Sequence, residues 1–321
     1  AALRAARDGS ARGGDGEADG DVDELVLGHL DGLTYVPVEF SHPRDSSRRK
    51  TVLALVDTGS YSCDLRPSII EELGLPRARS RASWAETAAG RLVETQSFQA
   101  VLRVGALESH VEVSATDEDE DESEDEGSAS DDADREFGLG ANSDDAVLGS
   151  STLAALGFVV DCQQRRLLPR SSVATGGQVQ SFCDASHVLV EFGHPAHPDR
   201  KVLVRALVDS GCTDVDLGQG HMAALGLEAD PSEGTAKFET AGGVTIEAPI
   251  YRVIVRLMGR EALVRASPSE ADAGDDGGGG PQNSDEALLG HDALASLGIL
   301  VDCHGQRLLT APEVACPRGG A

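Results

Sequence analysis

An internal repeat constrains the fold of this 321-residue chain more than any other feature of its sequence. Shifting the sequence by 152 positions aligns residues 38–75 with residues 190–227 without a gap, and 17 of the 38 aligned positions are identical. A second stretch, residues 146–162, returns at 287–303 with a shift of 141. Self-similarity of this kind predicts two copies of one structural unit.

The repeat also sets the domain boundaries that we predict. The first domain is expected at residues 25–170 and the second at 187–312, and a polar, glycine-containing linker at 171–186 joins them. Each copy is long enough to bury a hydrophobic core of its own. Residues 1–24 are predicted to be a disordered acidic segment, and residues 313–321 a tail.

The charge of the chain is strongly negative and unevenly distributed. The chain has 55 acidic and 27 basic residues, for a net charge of −28. Residues 117–145 hold 15 acidic residues and one Arg, and residues 268–286 hold six acidic residues and no basic one. We predict that both insertions are long, disordered, solvated loops. With only 3% aromatic residues and no basic footprint, the chain is expected to bind no nucleic acid.

Other partner classes are also disfavoured by the composition. No apolar run approaches the length that spans a bilayer, so we expect no membrane association. Six cysteines without a C-x-x-C pair are too few for a disulfide scaffold, and an intracellular, soluble protein is favoured. Cys183 lies near His187, His194 and His197, but their spacing matches no zinc pattern. We therefore predict no metal and no cofactor.

The residue pattern of each copy predicts mostly β-strands. Apolar, β-branched segments at 34–40 and 51–56 flank a polar turn, which is typical of two paired strands. Residues 66–73 have Pro67 near their start and are followed by Gly74, so a short helix is expected there. A small-residue turn near 88–90 indicates a hairpin. Further strands are expected at 97–104, 109–115, 158–161 and 166–168, and another short helix at 150–156.

The two copies agree most closely at A-L-V-D-T-G-S (54–60) and A-L-V-D-S-G-C (206–212). In each copy an apolar strand leads to an aspartate, Asp57 or Asp209, followed by a hydroxyl residue and a glycine. If the copies pack as a pseudo-twofold pair, the two carboxyl groups meet at the axis. Two carboxyl groups at such a short distance cannot both be ionised, because like charges repel, so the pair shares a proton. Such a pair can activate water and protonate a leaving group.

With these motifs, each copy resembles a retropepsin-like aspartic protease domain. The resemblance consists of D-[ST]-G, a flap hairpin, and an apolar-apolar-Gly segment before a helix, and it covers about residues 33–168 and 187–309. It implies an all-β fold of two closed β-barrels with short helices. Retroviral enzymes assemble this arrangement from two identical chains. Here one chain supplies both halves, so the resemblance implies an intramolecular pseudo-dimer and a monomeric protein.

The resemblance also implies a role for individual residues. In the two motifs, it implies a catalytic pair, two loop-bracing hydroxyls and two glycines that present backbone groups to substrate: Asp57 and Asp209, Thr58 and Ser210, Gly59 and Gly211. It places the flaps at Ala88, Ala89, Gly90, Ala241, Gly242 and Gly243. One departure concerns the Gly of the apolar-apolar-Gly segment, which is Gly149 in copy 1 and Gly290 in copy 2. It is followed by Ser-Ser in copy 1 and by His-Asp in copy 2, whereas viral enzymes typically carry an Arg paired with Asp or Asn.

The implied function is that of an aspartic endopeptidase acting on an extended peptide or protein substrate. The alternative is a non-catalytic peptide-binding module built on a duplicated acid-protease fold. Such a module would clamp an extended peptide as an added strand. Loss of either aspartate would favour this alternative, and neither Asp57 nor Asp209 is lost.

Overall fold

The computed structural model describes residues 32–78, 83–86, 92–115, 145–173, 177–183, 186–239, 245–269 and 286–311. Within these ranges the chain is mostly β-strand and contains four short helices, as the sequence predicted. Residues 1–24, the tail and nearly all of both acidic insertions lie outside the described residues. No helix in the described part of the chain is long and apolar enough to cross a bilayer.

The first copy forms a closed barrel of six strands, hydrogen-bonded in the order β1-β2-β8-β3-β7-β6. Residues of one strand alternate between the barrel interior and its surface, so Val36, Val38 and Phe40 are buried. The elements of this copy are β1 (Tyr35–His42), β2 (Asp45–Val56), β3 (Cys63–Leu65), α1 (Pro67–Leu73), β4 (Ser83–Glu86), β5 (Leu92–Thr95), β6 (Ser97–Val104), β7 (Leu107–Ala115), β8 (Ala146–Leu148), α2 (Ser150–Leu156), β9 (Phe158–Asp161) and β10 (Arg166–Pro169).

The second copy repeats this architecture as a closed barrel in the order β12-β13-β19-β14-β18-β17. A 3-10 turn, Arg170–Ser172, and strand β11 (Val179–Ser181) precede it. Its elements are β12 (His187–His194), β13 (His197–Val208), β14 (Val215–Leu217), α3 (Gln219–Leu225), β15 (Thr235–Glu239), β16 (Thr245–Pro249), β17 (Tyr251–Leu257), β18 (Arg260–Pro268), β19 (Glu286–Leu289), α4 (His291–Leu297), β20 (Ile299–Asp302) and β21 (Arg307–Thr310).

A third sheet joins the two copies. It has five strands in the order β10-β9-β20-β21-β11, so it takes two strands from each copy and one from the segment between them. Val160 of β9 lies opposite Val301 of β20, and both side chains are fully buried in a hydrophobic core that contains residues of both copies. The segment predicted as a plain linker therefore contributes a strand, which the sequence did not indicate.

Each copy also carries a separate two-stranded hairpin. Strand β4 pairs with β5, and β15 pairs with β16, each in an antiparallel arrangement. The six predicted flap residues lie between these paired strands in the sequence and fall outside the described residues: Ala88, Ala89, Gly90, Ala241, Gly242 and Gly243. The hairpins that would carry the two flaps are thus present.

Candidate active site

The two motif aspartates follow directly after barrel strands β2 and β13. In each copy the preceding strand runs parallel to a short strand, β8 or β19, which holds it from one side. The backbone N–H of Asp57 donates to the carbonyl of Leu148 at 3.1 Å, and that of Asp209 donates to the carbonyl of Leu289 at 3.1 Å. The strand pairing therefore fixes the backbone of both aspartates in equivalent positions.

Backbone amides orient both carboxylates. Oδ1 of Asp57 accepts the N–H groups of Gly59 at 2.7 Å and Ser60 at 3.1 Å. Oδ1 of Asp209 accepts the two equivalent N–H groups of its own loop at 2.9 and 3.2 Å. Each carboxyl group thus has one oxygen held by its own loop, in the same manner in both copies.

The two carboxyl groups meet across the boundary between the copies. A Cβ atom built on Gly59 would lie 2.6 Å from Cγ of Asp209, and one built on Gly211 would lie 2.6 Å from Cγ of Asp57. Each glycine therefore lies against the carboxyl group of the other copy, where no side chain fits.

This arrangement changes the acidity of the pair. Burial, followed by the negative charge of Asp57 and the hydrogen bond with it, raises the pKa of Asp209 well above its ordinary value. The two amide N–H groups that Asp209 accepts oppose this shift but do not cancel it. The pair as a unit therefore releases its last proton at a higher pH than an isolated aspartate does.

The two motif hydroxyls make reciprocal contacts beneath the carboxyl groups. The hydroxyl of Thr58 donates to the carbonyl of Val208 at 2.8 Å and accepts the N–H of Ser210 at 3.1 Å. The hydroxyl of Ser210 donates to the carbonyl of Val56 at 2.7 Å and accepts the N–H of Thr58 at 3.1 Å. Both side chains are fully buried. These four bonds lock the two loops together, because breaking any one leaves a buried polar group unpaired.

The apolar-apolar-Gly segment of each copy packs behind its motif loop. A Cβ atom on Gly290 would lie 1.9 Å from the carbonyl oxygen of Asp214, so only glycine fits there. The next residue, His291, donates its backbone N–H to the carbonyl of Cys212 at 2.7 Å. Its buried ring lies 3.1 Å from the hydroxyl of Thr34 in the other copy. At the position where viral enzymes carry Arg, copy 2 thus has a histidine that contacts copy 1.

Two charged residues near this loop were missed by the sequence interpretation. The carboxylate of Asp214 is 3% exposed and lies 3.5 Å from the guanidinium of Arg265. The repeat comparison gave no signal, because the aligned residues in copy 1 are Ser62 and Glu112. The only available signal was an aspartate five residues after Asp209.

The cysteines and histidines considered as metal ligands have other environments. Two further cysteines, Cys162 and Cys303, are buried, and burial raises the pKa of the Cys303 thiol to about 12. The thiol of Cys183 donates to the backbone carbonyl of His187 at 3.0 Å. In the described part of the chain, no group of three or more His, Cys, Asp or Glu side chains is placed to hold a metal ion.

The structure therefore brings together all six motif residues that the sequence singled out: Asp57, Thr58, Gly59, Asp209, Ser210 and Gly211. These residues come from both copies and meet at one place between the barrels. No protein-family model matches the chain, and no curated protein matches it.

Proposed function

We propose that the chain is a retropepsin-like aspartic endopeptidase in which one chain supplies both halves as an intramolecular pseudo-dimer. The observation that carries this proposal is the meeting of Asp57 and Asp209, each placed against the glycine of the other copy. A purely structural role explains this pairing poorly, because two partly buried carboxylates at one boundary destabilise the fold unless they share a proton. The reciprocal bonds of Thr58 and Ser210 support the proposal, since they hold the pair in a fixed geometry.

The pair supplies both an acid and a base. One carboxyl group holds the shared proton, and the other acts as the base. A water molecule loses a proton to the ionised carboxyl group as its oxygen attacks the scissile carbonyl carbon, while the protonated carboxyl group protonates the carbonyl oxygen. The resulting tetrahedral intermediate breaks its C–N bond as the first group gives its proton to the leaving amine and the second takes a proton from a hydroxyl of the intermediate. No covalent bond to the enzyme forms.

The substrate is an extended peptide or protein segment. The hairpins β4–β5 and β15–β16 each follow the motif loop and helix of their copy, and an extended peptide can pair with such strands by backbone hydrogen bonds. Because both carboxyl groups come from one chain, the active species is a monomer.

The test is cleavage of a diverse peptide library as a function of pH. We expect a bell-shaped rate profile whose two limbs belong to the pair as a unit. Asp57→Asn and Asp209→Asn should each abolish turnover, because Asn is nearly isosteric but cannot exchange the proton. Asp199→Asn, on an exposed part of β13, is the matched control and should keep full activity.

Two outcomes would overturn this proposal. Substantial cleavage by Asp57→Asn or by Asp209→Asn would exclude the shared-proton mechanism. Tight binding of peptides by the wild-type protein without any cleavage would instead establish the peptide-binding module.

A further inference from the structure

Two arginines lie directly opposite each other in the second barrel. Arg252 of β17 pairs with Arg265 of β18 in the antiparallel register, and their side chains are 37% and 35% exposed. Like charges directly opposite in a sheet destabilise it. This pair therefore requires carboxylates to balance it.

Three carboxylates supply that balance and form one continuous network, which we call the Asp230–Asp214 network. Glu233 lies between the two arginines and forms an ion pair with each, at 4.0 Å from Nε of Arg265. Asp230 lies 3.7 Å from Arg252 at one end, and Asp214 lies 3.5 Å from Arg265 at the other. Removing one partner of a buried carboxylate is costly, and Asp214 is the most buried member.

The network connects two parts of the candidate active site. At one end, Asp230 and Glu233 belong to a turn that ends just before β15, the first strand of the second hairpin. The backbone of Asp230 is also bonded to Ile250, just before β17. At the other end, Asp214 belongs to the loop that begins with Asp209. The base of the hairpin β15–β16 is thus tied by charges to the loop that carries Asp209.

Three positions of this network hold different residue types in the first copy. The residues that occupy the positions of the two arginines are Gln99 and Glu112, which lie opposite each other on β6 and β7. The position of Asp214 is taken by Ser62, whose hydroxyl donates to Asp64 at 2.9 Å. Ser62 and Glu112 therefore cannot form the ion pair that Asp214 and Arg265 form in copy 2.

We propose that Arg265 is a positioning residue that anchors the hairpin β15–β16 to the Asp209 loop. The inference rests on the proposed function for its effect on substrate, but the anchoring itself is independent of catalysis. The anchored hairpin is a preordered strand edge for an extended peptide, which lowers the cost of ordering on binding.

Amide hydrogen exchange of the full, unliganded chain tests the anchoring. In Arg265→Gln, we expect exchange across residues 235–249 to be about fivefold faster or more, with residues 83–95 unchanged. Arg265→Lys keeps the charge but cannot contact Asp214 and Glu233 at once. Its exchange rate should therefore lie between those of the wild type and Arg265→Gln. Arg256→Gln is the matched control, because Arg256 lies on the neighbouring strand β17 and pairs with Glu191 and Glu261 instead. It should leave both hairpins unchanged.

A second variant and a kinetic measurement complete the test. Glu233→Gln removes the central carboxylate from the turn and should reproduce the exchange result if Arg265→Gln does not fold. In peptide cleavage, Arg265→Gln should raise KM about fivefold and leave kcat within about twofold. Unchanged exchange in 235–249, equal acceleration in both hairpins, or a fall in kcat alone would overturn the proposal. A wild-type protein that cleaves no peptide would overturn the endopeptidase function, while the exchange result would still decide the anchoring.

Discussion

At the scale of single residues, the candidate site depends on the space beside two glycines. Gly59 and Gly211 have no positive φ, so their backbone conformation does not require glycine. Glycine is required because of the limited space, since a Cβ atom on either residue would lie 2.6 Å from the carboxyl carbon of the opposite aspartate. We propose that the same close approach lets the two carboxyl groups share a proton.

We predict that Gly211→Ala destabilises the protein by about 1–3 kcal/mol, because the added methyl group forces the two loops apart. Gly220→Ala is the control, since Gly220 lies in α3 with open space around it. Alanine there should stabilise the helix by about 0.5–1 kcal/mol. Urea unfolding measures both, and a Gly211→Ala protein as stable as the wild type would contradict the geometry.

The raised pKa of Asp209 makes a second prediction, on stability and pH. A carboxyl group whose pKa is higher in the folded state binds more protons when folded, so stability falls as pH rises from about 3.9 through the raised value. Asp209→Asn removes this cost. Its amide still accepts the loop N–H groups through oxygen and donates to Asp57 through nitrogen.

We therefore expect Asp209→Asn to melt about 2 °C or more above the wild type near neutral pH, although it cleaves nothing. The difference should shrink as the pH falls toward about 3, where Asp209 is protonated in both states. Thermal melts at several pH values measure it, with Asp199→Asn as the control. A variant that melts lower than the wild type at neutral pH would show that Asp209 is charged and stabilising.

At the scale of elements, the sequence predicted those with strong local signals. Helix α1 was predicted to within one residue, because Pro67 begins it and Gly74 ends it in a left-handed conformation. Strand β3 has only three residues and pairs with strands distant in sequence, so no local pattern indicates it. Strand β11 likewise owes its conformation to pairing with β21.

The residues of the candidate site also divide into those that the sequence predicted and those that it did not. Asp57 and Asp209 were predictable because the repeat places them at matching positions after apolar strands. The ion pair of Asp214 with Arg265 was not, because it occurs in one copy and joins residues far apart in sequence. A contact that depends on tertiary packing and has no counterpart in the repeat gives no signal in the sequence.

The two ends of the first acidic insertion lie close together in the fold. Leu65 of β3 lies opposite both Ala115 at the end of β7 and Ala146 at the start of β8. The ends of the insertion are therefore about 10 Å apart, two strand spacings. Replacing residues 117–144 with about six Gly and Ser residues should shift the melting temperature by no more than about 3 °C.

Asp145 is kept in this variant, because its carboxylate lies 2.8 Å from the guanidinium of Arg66. Calorimetry of the shortened chain measures the effect, and Asp145→Asn in the same background shows what loss of the ion pair adds. A shortened protein that fails to fold while it retains Asp145 would show that the insertion is part of the folded structure.

At the scale of the whole molecule, the two copies are joined by more than the motif loops. The five-stranded sheet includes strands of both, and the hydrophobic core is continuous between them. Asp302 of copy 2 has a fully buried side chain that pairs with Arg170 at 3.2 Å and Arg307 at 2.9 Å. Arg170 follows the last strand of copy 1, so this ion pair also joins the copies.

The central claim is that one chain carries a complete carboxyl pair. The most direct measurement is the initial rate of peptide cleavage by the wild type, Asp57→Asn, Asp209→Asn, and an equal mixture of the two variants, each over a range of chain concentrations. The account predicts a wild-type rate proportional to concentration and no activity in either variant or in the mixture, because every variant chain has one Asn in its own pair. Recovery of activity in the mixture, or a wild-type rate that rises with the square of concentration, would contradict it, since the pair would then form between chains.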